Sequence, residues 1–220
     1  MVTQSIQDYL KVIYKLGRDG KSVNTNAIAE RMEISQASVT GMLKKLSELK
    51  LISYKPYYGV ELTGAGRKIA LEIIRHHRLL ELYLAEALGY SWDRVHAEAE
   101  KLEHHISEEF EERMCEILGH PEFDPHGAPI PSKDGKILER NLAVLTSGVA
   151  GRRVQIMQVS DSDPDMLRYL AEIGIFPAIE LEIIEKGPFG GPMLVRVGDQ
   201  EHHLGEALTD QIWIAAEAAI

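Results

Sequence analysis

Cysteine is nearly absent. With Cys115 alone in 220 residues, the chain has no disulfide framework and no structural zinc site of the four-cysteine kind. Long apolar runs are missing too, none approaching the roughly 20 residues of a membrane span, so no membrane-crossing segment is expected. The first residues, Met1-Val2-Thr3-Gln4-Ser5-Ile6, lack a basic stretch followed by an apolar one. No secretory signal is read, and a cytoplasmic location is expected. Positive charge is also short: the formal net charge is −10, which taken as one number argues against a nucleic-acid partner.

The distribution of charge reverses that reading for one end of the chain. Residues 1–75 hold 12 Lys/Arg against 7 Asp/Glu, whereas residues 76–220 hold 12 against 27 together with all nine histidines. A basic module suited to an anionic partner is joined to an acidic, histidine-rich module suited to cations. The length exceeds one ordinary domain of about 100–150 residues, and three domains are expected, at 1–72, 73–145 and 146–220.

Apolar residues at Ile6, Tyr9, Leu10, Ile13 and Leu16 fall at helical spacing, and a short helix carrying Ile28, Ala29 and Met32 follows. The turn Glu33-Ile34-Ser35 puts Ser35 at an N-cap, and the next helix turns Val39, Met42, Leu43, Leu46 and Leu49 to a core. Two short strands, Leu51–Lys55 and Gly59–Leu62, then flank Pro56-Tyr57-Tyr58 as a hairpin, with Thr63 capping another helix. Three helices ending in a hairpin make a winged helix-turn-helix. The outward face of its second motif helix carries Gln36, Ala37, Thr40, Gly41 and Lys44, small and amide side chains that allow close approach to base edges in a major groove. Lys44, Lys45 and Lys55, with Tyr57 and Tyr58, are placed to meet phosphates. A helical pair with a solvated face fits the same spacing. The attached wing and the local positive charge favour DNA.

Helical periodicity continues from about Gly66 to Leu88 and again from Trp92 to Leu118, before a Pro- and Gly-rich linker from Gly119 to Asp134. Beyond Leu145 come short strands at 154–159, 179–185, 193–197 and 212–215 and one helix from Pro164 to Ile173, a small, mostly β domain. The fold class is therefore mainly α with a β appendage. In the acidic helices, His77 and Glu81 stand at i, i+4, and His96, Glu100, Glu103 and His104 follow at i, i+4, i+7 and i+8, each set on a single helical face. These are oxygen and imidazole donors without sulfur, a set that suits Mn²⁺ or Fe²⁺ better than Cu⁺ or a thiolate zinc site. A metallohydrolase would use similar ligands, yet the chain has no His-Glu-x-x-His and no nucleophile or base left over beside the cluster.

These residues resemble the diphtheria-toxin-repressor family of metal-dependent transcriptional regulators. The resemblance is carried by Ile28-Ala29-Glu30, Ser38-Val39-Thr40 and Leu62-Thr63 in the winged helix, by His77-Arg78-Leu79-Leu80-Glu81 and Val95 through His104, by Asp124-Pro125-His126-Gly127, and by Gly174-Ile175-Phe176-Pro177 and Lys186-Gly187-Pro188. It implies a helical metal-binding and dimerisation domain, a C-terminal SH3-like small β-barrel, and no enzymatic activity. It places a primary metal site on Asp8, Glu100, Glu103 and His104 and an ancillary one on His77, Glu81 and His96, with Asp163 as a ligand lent by the SH3-like domain. DNA contacts are implied for Ser35, Gln36, Ala37, Ser38, Thr40, Lys44, Lys55 and Tyr57. Iron-responsive members carry Met and Cys where this chain has Asp8 and Glu100, which points to manganese, two ions per subunit, with Fe²⁺ as the alternative. Lys11 departs from the short manganese regulators, which have a glutamate ligand there. The implied partners are a palindromic double-stranded operator and a second copy of the chain, associating through apolar faces near Leu79, Leu82, Leu88 and Val95.

Overall fold

The computed structural model describes residues 2–17, 22–55 and 58–216. They form two compact units, one built from the chain up to His76 with Glu103–Ile106 and Pro131–Lys136, the other from His77–Leu102, Ser107–Ile130 and Ile137 onward.

In the first unit, α1 (Gln4–Leu16), α2 (Thr25–Met32) and α3 (Gln36–Glu48) precede an antiparallel hairpin of β1 (Ile52–Lys55) and β2 (Gly59–Leu62) and the start of α4 (Gly64–Glu86). The turn chemistry explains where the helices stop and start. Asn24 accepts from the Ala27 N–H to cap α2, Glu33 takes a left-handed conformation at its end, and Ser35 accepts from the Ser38 N–H to open α3. Thr63 donates its hydroxyl to the Lys50 and Leu51 carbonyls and accepts from the Gly66 N–H, tying the hairpin to α4. Ile6, Leu10, Ile13, Ile28, Val39, Leu43, Leu46 and Val60 are buried as their spacing predicts, whereas Met42 is half-buried and Leu16 and Leu49, expected on the same faces, are exposed at the ends of their helices.

The second unit holds the rest of α4, then α5 (Val95–Leu102) and α6 (Glu108–Ile117). The unbroken helix expected from Trp92 to Leu118 is thus two helices with a turn at 103–105. Ser107 is the reason: it caps α6 by accepting from the Phe110 N–H, and Glu108, Glu109 and Glu111 in the first turn complement the positive end of the new helix. Leu79, Leu82 and Val95, expected at a dimer face, are already buried inside the chain, and Leu88 is exposed.

The β part is a six-stranded antiparallel sheet in the order β3 (Leu142–Val144), β8 (Ile212–Ala215), β4 (Arg152–Val159), β5 (Glu180–Lys186), β6 (Met193–Val197), β7 (Gln200–Leu204), accompanied by α7 (Pro164–Glu172) and the short α8 (Glu206–Thr209). Leu145, Ile156, Leu167, Leu170, Ile183, Val195 and Ile212 form its core, with Trp92 packed against them. β4 also positions the preceding segment. The Val159 N–H donates to the His126 carbonyl, and the Arg140 guanidinium donates to the Gly127 carbonyl at 2.6 Å. Gly127 has φ +84°, and a Cβ there would stand 2.3 Å from the Met157 carbonyl oxygen. No helix among the described residues is long and apolar enough to cross a membrane.

Replacing Gly127 by alanine should therefore cost roughly 2–3 kcal/mol in a denaturant titration, from the left-handed backbone and the clash together. Gly89 is the control: at φ +70° it has open space around its Cβ, and its alanine variant should lose roughly 1 kcal/mol. Equal losses at the two positions would mean that the 123–130 segment is not held against β4.

Candidate metal centre

Glu81 lies on α4 with no exposed surface. Its Oε1 is 3.0 Å from His77 Nε2 and 3.0 Å from His96 Nδ1, and those two nitrogens are 3.0 Å from each other. Two ring nitrogens facing one carboxylate oxygen in an equilateral triangle make a poor hydrogen-bond arrangement, because N–H groups turned to the carboxylate leave no proton between the two nitrogens. It is a good arrangement for a cation. Adjacent donors around a six-coordinate ion with bonds of about 2.1 Å are separated by about 3 Å. The i, i+4 spacing of His77 and Glu81 thus produces the contact expected of it.

The β part of the unit contributes Asp161, whose Oδ2 is 3.4 Å from His96 Nδ1, so His77, Glu81, His96 and Asp161 form one candidate ligand group. Asp161 takes the place expected for Asp163. Asp163 stands before Pro164 and is engaged as the N-cap of α7, accepting from the Asp165 and Met166 N–H groups. Glu100 also approaches this group, at 3.8 Å from His77 Nδ1 and from His96 Nε2.

The other oxygen of Glu81 faces residues that the sequence reading treated as linker. Glu81, Asp124 and His126 form a second, fully buried group. His126 Nε2 is 2.9 Å from the Trp92 carbonyl, which only accepts, so Nε2 carries the proton. Its Nδ1 lies 3.9 Å from Glu81 Oε2, and neither atom has a hydrogen-bond partner among the described residues. Two buried polar atoms without partners are costly unless a ligand answers them. Asp124 is better satisfied: it accepts from the His126 and Ala128 N–H groups, and Arg78 Nε lies 3.4 Å away. The sequence signal for this group was Asp124-x-His126 inside a Pro/Gly-rich loop, ordinary turn chemistry that only proximity to Glu81 makes informative.

In the first unit, Asp8 on α1 meets Glu103 and His104 from the turn after α5. His104 Nε2 is 2.8 Å from Asp8 Oδ1 and 3.2 Å from Glu103 Oε1. The other ring nitrogen, Nδ1, is 2.8 Å from Gln7 Oε1, so Gln7 holds the orientation of the ring that turns Nε2 toward the carboxylates. Gln7 was not foreseen, since nothing in spacing distinguishes it from a solvated helix residue. His76, the neighbour of His77, is buried with its Nδ1 3.1 Å from the Glu103 carbonyl.

On α3, Gln36, Ala37, Ser38, Gly41 and Lys44 are exposed, as is Ser35 ahead of them, and a Cβ on Gly41 would meet nothing. Thr40 is half-buried and donates its hydroxyl to the Gln36 carbonyl, which leaves its methyl as the group for a partner. Lys55 and Tyr58 are exposed at the wing, and Tyr57 lies outside the described residues.

Residues 1–60 match the iron dependent repressor N-terminal DNA binding domain, residues 63–132 the iron dependent repressor metal binding and dimerisation domain, and residues 144–216 the FeoA domain. The iron-dependent repressor IdeR of Mycobacterium tuberculosis is 31% identical over 204 residues, which cover 87% of this chain and 88% of that protein. A solved manganese-dependent transcriptional repressor in complex with manganese is 38% identical with a TM-score of 0.87, covering 95% of this chain and 98% of that one. The manganese regulator SloR is 31% identical with a TM-score of 0.77 over 96% and 98% of the two chains. The fold and these relatives define a metal-dependent, DNA-binding transcriptional repressor. The chain belongs to the diphtheria-toxin-repressor family, that of the iron-dependent repressors. Its partners are DNA and a second copy of itself, as its DNA-binding and dimerisation domains indicate. The family is one of repressors and not of enzymes, which removes the hydrolase reading.

Electrostatics in the Glu81 group yield a pH dependence. Burial works to raise the Glu81 pKa, but the His77 charge and the hydrogen bonds from His77 and His96 outweigh it, and the carboxyl is held below its usual range. Burial works to lower the His96 pKa, and hydrogen bonds and charge from Asp161 and Glu81 overcome it, pushing the imidazole up to about 10. Burial and the Glu81 charge push Asp124 up to about 6. In metal-free protein at neutral pH, His96 therefore holds a proton that a coordinating cation must displace. The proton's contribution to stability is full below the ordinary histidine pKa and is lost as pH rises toward 10. Mn²⁺ affinity at this group should rise about tenfold per pH unit between pH 6.5 and 8.5. Calorimetry in buffers of different protonation enthalpy should find about one proton released per ion at this group. Ion uptake without proton release would remove His96 from the ligand set.

Proposed function

We propose that the chain is a manganese-activated repressor that, as a homodimer in the cytoplasm, binds a palindromic operator of metal-uptake genes when metal is plentiful. The observation that carries this reading is the donor set. Asp8, Glu103 and His104 in one group, and His77, Glu81, His96 and Asp161 in the other, are hard oxygens and imidazoles without a sulfur, with Glu81 Oε2 and His126 Nδ1 buried and unanswered beside them. We assign one ion to each group, two per subunit, with Glu100 as a further carboxylate. The likeness to a repressor solved with manganese supports the same metal.

A bound divalent ion supplies the positive charge that these carboxylates otherwise lack. The rest falls to the chain. Asp8 belongs to α1 of the DNA-binding part, while Glu103 and His104 are covalently continuous with α5 and α6, so closing the carboxylates and imidazole of this group onto one centre restrains both. The exposed face of α3, with Gln36, Ala37 and Thr40, reads base edges from a fixed orientation, with Ser35 and Ser38 at its N-terminal end. Lys44 and Lys55, with Tyr57 of the wing, hold phosphates.

Iron is the second reading, favoured by the iron-dependent repressors among the relatives. Operator affinity titrated anaerobically with Mn²⁺ and with Fe²⁺ separates the two. The Mn²⁺ midpoint should lie below the Fe²⁺ midpoint relative to cellular metal levels, and the double variant Asp8→Met, Glu100→Cys should move the ratio toward Fe²⁺. An unchanged ratio removes those positions as selectivity determinants. Glu103→Ala should abolish metal-stimulated operator binding while the dimer stays folded, and a wild-type response there would count against the assignment.

The DNA face makes a separate forecast. Gln36→Ala should cost about 1–3 kcal/mol on the operator and little on random DNA, whereas Lys44→Ala should weaken both and lower the salt slope by about one. An equal loss on the two DNAs for Gln36→Ala would exclude base readout by that side chain.

A further inference from the structure

Lys11 is 5% exposed, and its Nζ lies 2.6 Å from Oε1 of Glu103, which is itself fully buried. That oxygen is also the one 3.2 Å from His104 Nε2, which in turn is 2.8 Å from Asp8 Oδ1. The carboxylate that a metal ion would need is therefore already held by a cation of the chain's own, three residues along α1 from Asp8 and on neighbouring positions of the same helical face. The backbone of Glu103 is fixed as well, by the 3.1 Å contact between its carbonyl and His76 Nδ1, so the side chain reaches the group from an anchored turn.

Charge decides what such a lysine does. Asp8 and Glu103 bring two negative charges and Lys11 returns one positive, so the group has a net charge of minus one before any ion binds. A divalent ion entering beside Glu103 meets a carboxylate whose field is half cancelled and an ammonium close at hand in surroundings that screen poorly. A second divalent ion would meet a group already net positive.

We propose that Lys11 sets the metal requirement of this centre: it stands as the counter-ion of Glu103, weakens the hold of Asp8, Glu103 and His104 on a divalent ion, and confines them to a single one. The proposal rests on the reading that these three residues bind metal. It makes Lys11 a positioning and threshold residue, not a ligand. The chain thereby responds only at metal levels high enough to displace or share its own ammonium.

The test uses the full-length chain carrying His96→Ala, which silences the other group, with free Mn²⁺ measured by the paramagnetic resonance of the hydrated ion. Lys11→Leu should bind Mn²⁺ at least about tenfold more tightly than its parent, and Lys11→Arg, which keeps the charge, should stay within about threefold of it. Lys11→Glu should raise the count from one ion to two. Lys11→Leu leaves Glu103 buried without its ammonium, so Lys11→Gln, which keeps a polar tail, is measured beside it and should also bind more tightly. The rise in melting temperature on adding Mn²⁺ should be larger in both neutral variants than in the parent, a readout independent of DNA. Neutral variants that fold and bind Mn²⁺ no more tightly than the parent overturn the competitor role, and an unchanged count in Lys11→Glu overturns the single-ion limit. If Glu103→Ala in the same background binds Mn²⁺ as well as the parent does, the centre itself is misassigned and the proposal falls with it.

Discussion

A carboxylate with no exposed surface has to be answered by positive charge from close by, and Glu81 is answered at one of its two oxygens. His77 one helical turn away and His96 on α5 share its Oε1 at 3.0 Å each, and Asp161, just past the end of β4, draws on His96 in turn. Its Oε2 is left to His126, in the segment laid against β4. One oxygen pair therefore gathers residues from two helices, a loop and a strand end, and an isolated buried charge of this kind would cost several kcal/mol. The helices supply the ligands, and the β part holds two of the segments that reach them. This gives the sheet a task beyond its own stability: it fixes where Asp161 and His126 stand.

The turn at 103–105 is the second decisive feature. Had the helix continued to Leu118, Glu103 and His104 would sit on a long rod with Glu100. Ser107 and the glutamates after it start a new helix instead, and the released residues join the unit that contains α1. A capping serine thus determines which part of the molecule two metal-binding side chains serve.

Much of this was legible in the sequence because it is local. The caps Ser35 and Thr63, the core faces of α1 and α3, the wing and the His77–Glu81 pair all follow from spacings of three or four residues, which a helix or a tight turn converts directly into contacts. Where the outcome depended on tertiary proximity, the reading failed or stopped. The resemblance implied Asp163 as a donor, but an aspartate ahead of Pro164 is drawn into capping α7, and only the path of the chain after β4 brings Asp161 to His96. His126 was hidden for a similar reason, since Asp124-Pro125-His126-Gly127 is an ordinary turn until Glu81 is seen beside it. The strands β3 and β7 were missed because Leu142–Val144 is short and Gln200–Leu204 is polar; each exists through pairing with β8 or β6.

Both groups hold an imidazole from behind while its other side meets a carboxylate. His104 has Gln7 Oε1 2.8 Å from Nδ1 and the Asp8 and Glu103 carboxylates at Nε2, and His126 has the Trp92 carbonyl 2.9 Å from Nε2 and the Glu81 carboxylate beyond Nδ1. A partner fixed behind the ring sets its orientation before a cation arrives. At His96 nothing comparable is arranged: Asp161 and Glu81 both draw on Nδ1 and favour the protonated ring. Where the proton is held by carboxylates the centre answers to metal and pH together. In the Asp8 group a cation of the chain itself, the Lys11 ammonium, stands on Glu103 Oε1. Lys11 belongs to α1, so the competitor that an incoming ion meets is covalently part of the helices that read DNA, and the threshold for metal and the element that metal must position lie on one helix.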